Sequence, residues 1–333
     1  MKKKLFNIGK YLLFLGIGVF LVWWSLHKIP SDKWDDFQHS LRTANYWLLL
    51  PVFFILSASH VLRSLRWQII IGTIGSKPKL PNTFFAVMIG YLANLAVPRL
   101  GEVLKCTILA KYEHVPADKL VGTIVAERAV DVICLGLVFL LAFLVQYDLV
   151  YQFAVQLMTQ INNQFTHLPT TLIAIGIVVA IGFFFVAKIL AQKYKHIKPV
   201  AFVLQIGVGI WQGFSAIRNI RQKGMFFVYT LLIWIMYIGG TWVGLYATQG
   251  TAHLGVQHAI AALAFASIGM IITPGGIGAY AFFLAKVLEK NGVPFEIGFA
   301  NGTLQWFAQF LIVVLVGFVC LMLLPVYNKS KTI

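Results

Sequence analysis

Charged residues are scarce in this sequence, and their scarcity excludes most soluble proteins. Asp, Glu, Lys and Arg make up 11% of the 333 residues, whereas 59% are hydrophobic. A soluble globular domain carries about 25% charged residues. No stretch is polar enough to form a soluble domain or a long linker. We therefore predict an integral membrane protein with a single transmembrane domain over residues 1–333.

Cysteine is also rare, and little in the sequence could bind a metal. The three cysteines lie in apolar segments, without the spacing of a metal knuckle or a disulfide framework. The eight histidines are scattered, and His253 and His258 are not spaced as a metal-binding pair on a helix. We predict no metal and no cofactor.

Long apolar runs, by contrast, are abundant. A helix needs about 20 apolar residues to cross roughly 30 Å of hydrocarbon. Runs of that kind lie near residues 8–26, 45–62, 120–147, 168–188, 225–248 and 300–324. The first run lacks the small-residue cleavage pattern of a signal peptide, so we predict that it remains as a helix. Two further stretches, 82–112 and 258–290, are interrupted by Pro and Gly, and they are either re-entrant hairpins or kinked membrane helices.

The distribution of positive charge favours the hairpins. If both interrupted stretches turn back, most of the 27 lysines and arginines fall on the cytoplasmic side, where both termini also lie. We therefore predict an all-α polytopic membrane protein with about six full transmembrane helices and two re-entrant helical hairpins. Its net charge of +16 then reflects orientation and contact with anionic lipids, and no nucleic-acid partner is expected.

The same threading gives the two halves of the chain inverted topology, as in many secondary transporters. The halves cover about residues 8–147 and 168–324. Within the second, residues 200–223 place apolar side chains at helical spacing between basic ends. This pattern predicts an interfacial amphipathic helix, with a seventh full span as the alternative. The oligomeric state stays open.

Ionisable residues at membrane depth form the first candidate site. They lie in the first interrupted stretch and in the span after it: Arg99, Glu102, Lys105, Glu127, Arg128 and Asp131. An unpaired charge at the centre of a membrane helix costs about 2.5–3.5 kcal/mol, and here the positive and negative charges balance. We predict a buried network, which either couples proton movement to transport or acts as a static brace.

The break NLAVPRLGEVLK holds the substrate-binding candidates Asn94, Arg99, Glu102 and Lys105. A guanidinium binds phosphate through two parallel hydrogen bonds, so Arg99 is the residue predicted to contact an anionic headgroup. The helix that starts after Pro98 can direct free backbone N–H groups at the same anion.

The break TPGGIGAY carries no charge and predicts the opposite wall of a cavity. Gly275, Gly276 and Gly278 permit close backbone approach, and Tyr280 supplies a phenol. These four residues complete the predicted substrate-binding set.

The stretch LRSLRWQ marks the cytoplasmic end of the second span. Its Arg63, Arg66 and Trp67 are expected either to anchor the helix at the headgroups or to form a gate for a lipid headgroup.

Four motifs, in this order, carry a family resemblance: LRSLRW at 62–67, NLAVPRLGEVLK at 94–105, AERAVD at 126–131 and PGGIG at 274–278. With them the chain resembles, over essentially its whole length, the transmembrane, flippase-like region of the lysylphosphatidylglycerol synthase family. The resemblance implies movement of a lipid between the leaflets of a bacterial or archaeal cytoplasmic membrane. The synthases append a soluble transferase domain, and this sequence ends soon after the last span, so aminoacyl transfer is not expected.

Three functions remain open on these observations. The favoured one is a flippase for an anionic phospholipid or a polyprenyl phosphate-linked lipid. The second is an intramembrane lipid-modifying enzyme with Glu127 or Asp131 as general base, although no nucleophile with a neighbouring base is evident. The third is a membrane protein that does not transport and instead holds a separate lipid-modifying enzyme.

Overall fold

The computed structural model describes residues 16, 19–27, 29–97, 99–147 and 220–329. Throughout these ranges the protein is helical and contains no strand, which confirms the predicted all-α polytopic membrane fold. The principal helices are α1 Trp34–Arg42, α2 Leu49–Gly72, α3 Leu80–Ala96, α4 Leu100–Glu113, α5 Ala117–Val145, α6 Lys223–Leu245, α7 Val256–Ile272, α8 Ala279–Lys290 and α9 Phe295–Lys329.

Helices long and apolar enough to cross a membrane coincide with predicted spans. Within the described ranges there are four such segments: Tyr46–Gly72, Ala117–Val145, Lys223–Leu245 and Phe295–Lys329. Of the first predicted span, residues 16 and 19–26 are described, and they are helical. The predicted span at 168–188 lies outside the described residues. So does most of the predicted amphipathic helix at 200–223, whose last residue, Lys223, begins α6.

Each interrupted stretch folds into two short helices that pack against each other, α3 with α4 and α7 with α8. These helices contain 17, 14, 17 and 12 residues. At 1.5 Å per residue they are roughly 18–26 Å long, which is less than the ~30 Å of a hydrocarbon core. Two helices that pack side by side after a short break form a hairpin, whereas the arms of a kinked helix diverge.

Helices α3 and α4 form the first hairpin. Its shape depends on a hydrogen bond from the tip to Asn94, on the left-handed backbone of Arg99, and on two glycines where the arms meet. The Asn94 Oδ1 atom accepts a 2.8 Å hydrogen bond from the N–H of Gly101, at the start of α4. Arg99, just before α4, has a left-handed backbone with φ of 70°. Gly90 and Gly101 bring the arms together, because a Cβ atom on Gly101 would lie 1.9 Å from the Gly90 carbonyl oxygen.

The second hairpin, formed by α7 and α8, is built in a similar way. Gly275, Gly276 and Gly278 at its tip all have positive φ, which glycine adopts without a steric penalty. A Cβ atom on Gly269 would lie 2.6 Å from the backbone of Ala279, so glycine again permits the close approach of the arms. The two hairpins therefore share one mode of construction, in which a glycine lets the arms approach.

The two hairpin tips lie next to each other beside α9, which packs against both α3 and α8. The turn Pro274–Gly276 contacts α3. A Cβ atom on Gly275 would lie 2.9 Å from Leu95 Cδ2, and the Gly275 carbonyl accepts a 2.8 Å hydrogen bond from Trp306 Nε1. The fold therefore brings the two sequence breaks together.

Candidate functional site

Two arginines of α2 face two carboxylates of α5. The Arg63 Nη2 atom bonds Asp131 and lies 3.3 Å from Glu127 Oε1. The Arg66 Nη2 atom lies 2.6 Å from Asp131 Oδ1 and 3.8 Å from Glu127 Oε1. Residues three or four apart share one face of a helix, so the chain's local spacing aligns the arginines with the carboxylates.

Lys105 of α4 reaches one of these carboxylates, that of Glu127, from the first hairpin. Its Nζ atom lies 3.6 Å from Glu127 Oε2. Two rings flank the ammonium, with Trp67 at 5.1 Å and Tyr91 at 5.2 Å from Nζ to the ring centroid. Both distances suit cation–π contact. Trp67 is itself fixed, because its Nε1 atom donates a 3.0 Å hydrogen bond to Thr123 Oγ1.

We call Arg63, Arg66, Lys105, Glu127 and Asp131 the charge cluster. Arg66 is 0% exposed, and Lys105 and Glu127 are each 1% exposed. The cluster contains three basic and two acidic groups, so it carries an excess of positive charge when all five are ionised. Burying ions is costly even when they are paired. The cluster therefore carries a desolvation cost that stability alone does not explain, and it is a candidate functional site.

Arg63 and Arg66 lie in this cluster instead of at a lipid-facing helix end, where anchors would lie. Tyr237 of α6 adds a further contact, since its hydroxyl accepts a 3.0 Å hydrogen bond from Arg63 Nη1. His60 packs its ring 5.2 Å from that of Tyr91. Sequence reasoning missed these tyrosines and this histidine. The sequence feature that could have revealed them is the presence of a polar side chain within an apolar helix.

The other predicted charges lie apart from the cluster. The Arg128 Nε atom is 3.6 Å from Glu102 Oε1, and these side chains are 40% and 39% exposed. Arg99 is exposed at the tip of the first hairpin and forms no ion pair with the described residues. The predicted network of six charges is thus divided, with Lys105, Glu127 and Asp131 in the cluster.

Asn94 uses its side-chain oxygen to close the first hairpin, as described above. Of the uncharged candidates, Gly275, Gly276 and Gly278 form the second tip, and Tyr280 is buried behind it. The Tyr280 hydroxyl donates a 3.4 Å hydrogen bond to Gln305 Oε1.

Behind Tyr280 lies a neutral polar network that sequence reasoning also missed. Gln305 Nε2 donates to Asn301 Oδ1 at 2.8 Å, and Asn301 Nδ2 donates to the Gly244 carbonyl at 2.9 Å. The four-residue spacing of Asn301 and Gln305 on an apolar helix was the available signal. Because its members satisfy one another, this network can hold α6, α8 and α9 together.

Chemically, the charge cluster can bind an anion. Both carboxylates already contact arginine, while the positive groups exceed the negative ones by one. Among the described residues, no group of His, Cys, Asp or Glu has the arrangement of a metal site.

Comparison with known families gives a match over nearly the whole chain. The sequence model of the family described as "Lysylphosphatidylglycerol synthase TM region" matches residues 11–317 of this chain. Comparison with curated proteins and with solved structures gave no match.

Proposed function

Because the chain belongs to the lysylphosphatidylglycerol synthase transmembrane-region family, we propose that this integral membrane protein is a lipid flippase. Membership indicates a function related to membrane lipids. The proposal is that the headgroup of an anionic phospholipid or a polyprenyl phosphate-linked lipid passes between the hairpins while its tails stay in the bilayer.

The observation that carries the proposal is the charge cluster behind the tip of the first hairpin. Ionisable residues inside a membrane protein are costly, and they commonly mark the path of an ion or polar substrate. The excess of positive charge selects an anion. Arginine and lysine are the side chains that bind phosphate through charge-assisted hydrogen bonds.

A route to the cluster is supported by the Glu102–Arg128 pair. Arg128 lies roughly 17 Å along α5 from its start at Ala117, near the middle of the bilayer if α5 crosses it. The pair is partly exposed beside the exposed apolar side chains of Val103 and Val132. A charged pair on such a surface favours a lateral opening, through which a headgroup enters between α4 and α5.

We also propose an orientation of the protein in the membrane. We place both termini in the cytoplasm of a bacterial or archaeal cell, with the two repeat halves forming one transmembrane domain. Arg99, at the exposed tip, is then the first group that an incoming headgroup contacts, and Lys105 lies deeper.

The test is lipid movement by purified protein in vesicles. Fluorescent phosphatidylglycerol in the inner leaflet becomes accessible to an added quencher only after it has moved. We expect the protein to accelerate this movement, and Lys105→Met to slow it by about tenfold or more, because the substitution removes a charge that contacts the anion. Lys286→Met makes the same substitution in α8, where Lys286 pairs with Glu289 and does not belong to the charge cluster. We expect it to leave the rate unchanged.

Mass spectrometry of the recovered lipid separates transport from chemistry. We expect the lipid mass to be unchanged. A protein that moves lipid no faster than empty vesicles do, or that changes the lipid's mass, would contradict the proposed function.

A further inference from the structure

We infer that a phosphate group binds beside Tyr91, in a site formed by His60, Arg63, Tyr91 and Lys105, which we call the Tyr91 site. This inference deepens the proposed function, on which it rests for the source of the phosphate. It assigns a second anion-binding site, after the first contact at Arg99, to side chains that lie behind the hairpin tip.

The four groups of the Tyr91 site surround one phenol ring. The ring of His60 lies 5.2 Å from the Tyr91 ring, centroid to centroid. Lys105 Nζ lies 5.2 Å and Arg63 Cζ lies 5.7 Å from the same centroid. The groups come from α2, α3 and α4, so the site exists only where the first hairpin packs against α2.

Each group has a buried polar atom without a hydrogen-bond partner among the described residues. These atoms are His60 Nδ1, Arg63 Nε, Tyr91 Oη and Lys105 Nζ. Leaving a buried donor or acceptor unpaired costs about 1–3 kcal/mol. Native proteins therefore pair nearly all such groups. Four unpaired atoms around one ring point to a missing polar ligand.

The charges decide which ligand fits. The carboxylates contact Arg63 through Nη2, and Tyr237 contacts it through Nη1, so Nε remains. Lys105 Nζ is 3.6 Å from Glu127 Oε2, which is too long for a hydrogen bond. Water could satisfy the donors but would leave the excess positive charge of the cluster uncompensated. An anion satisfies both requirements.

The anion that suits these donors is a phosphate group. Guanidinium and ammonium groups bind phosphate oxygens strongly, and a phenol adds a neutral donor. A lipid headgroup and free inorganic phosphate offer the same oxygen atoms. The experiment therefore needs one probe for each source.

The first measurement is the thermal unfolding of purified protein in detergent as inorganic phosphate is added at constant ionic strength. A ligand that binds the folded protein raises its unfolding temperature. We expect Tyr91→Phe, which keeps the ring and removes only the hydroxyl, to weaken apparent phosphate affinity by about tenfold. Lys105→Met should weaken it by roughly 30-fold or more.

Tyr237→Phe is the matched control. It removes a second phenol, half-buried in the same neighbourhood, but one that already bonds Arg63. We expect phosphate affinity to change less than about twofold in this variant. An equal loss in both Tyr→Phe variants would overturn the inference, and so would a wild-type protein that neither inorganic phosphate nor the phospholipid of the second measurement stabilises.

The second measurement replaces inorganic phosphate with dihexanoyl phosphatidylglycerol, and dihexanoylglycerol serves as the phosphate-free control. Stabilisation by the phospholipid alone, with the same loss in Tyr91→Phe, would support a headgroup source. Binding of inorganic phosphate alone would support the anion site and assign it to a free ion. Phospholipid binding that is indifferent to Tyr91→Phe would place the lipid elsewhere and overturn the inference.

The two proposals fail separately. Phosphate binding that depends on Tyr91, in a protein that moves no lipid, removes the flippase and leaves the site. Lipid movement that Tyr91→Phe leaves unchanged, with no phosphate binding, removes the site and leaves the flippase.

Discussion

At the scale of single residues, arginines of this protein have very different environments. Arg66 has no exposed surface and contacts two carboxylates, whereas Arg99 is exposed at a hairpin tip. The left-handed backbone of Arg99 adds a cost of about 1–3 kcal/mol for a residue that is not glycine. Such a cost at an exposed tip fits a residue retained for contact with a ligand.

Glu127 gives a prediction at this scale. Its carboxylate lies within 4 Å of Arg63, Arg66 and Lys105. Glu127→Gln should lower the free energy of unfolding by about 3–5 kcal/mol, because it leaves the buried Lys105 without a carboxylate partner and leaves Asp131 as the one acidic group of the charge cluster. Chemical unfolding in detergent measures the change.

Glu102→Gln makes the same chemical substitution in the partly exposed pair with Arg128. An exposed ion pair contributes about 0–1 kcal/mol, so this control should have a small effect. If both substitutions lowered the free energy of unfolding equally, burial of the charge cluster would not be what makes Glu127 important for stability.

At the scale of elements, glycine contacts build the hairpins. In each, a glycine of the first arm permits the backbone of the second arm to approach: Gly90 with Gly101, and Gly269 with Ala279. This close approach keeps Lys105, one turn beyond Gly101, against the rings of Trp67 and Tyr91.

Gly101→Ala tests this role of the first hairpin. The added methyl group would overlap the Gly90 carbonyl oxygen, so the arms must separate. Overpacking typically costs about 1–3 kcal/mol, and we expect a lower unfolding temperature together with slower lipid movement.

Gly136→Ala in α5 is the control for that substitution. A Cβ atom at Gly136 meets nothing within 4 Å, and alanine is the better helix former by about 1 kcal/mol. Its unfolding temperature should stay equal or rise. A fall as large as that of Gly101→Ala would show that the close contact between the arms is not what matters.

At the scale of the whole molecule, the hairpin tips meet beside α9, through Leu95, Gly275 and Trp306. Hairpins that enter from opposite sides of a bilayer would meet in this way. In the flippase that we propose, separation of the tips would open a path for the headgroup, because the charge cluster lies behind the first tip.

Opposite entry of the hairpins is tested by labelling. Lys111 and Lys290 are exposed near the ends of α4 and α8, away from the tips. In a protein whose native cysteines are replaced, we expect Lys111→Cys to react with an impermeant thiol reagent only from the cytoplasmic side. Lys290→Cys should react only from the outside. Reaction of both from one side would refute opposed hairpins and the inverted repeat.

The sequence by itself determined the membrane fold and the position of both hairpins. Apolar length and the Pro and Gly breaks at 82–112 and 258–290 are local properties of the chain, so they can be read without any tertiary contact. The grouping of Glu127 with Asp131 was predictable for the same reason, because helical spacing fixes neighbours within a helix.

Only the tertiary structure decided which charges meet. Arg63 and Arg66 join Lys105 because α2, α4 and α5 pack together, while Arg99 and Arg128 lie outside the cluster. Partners on different helices depend on how each helix is rotated and how deeply it lies. Packing sets these quantities, and the spacing of residues along one helix contains no information about them.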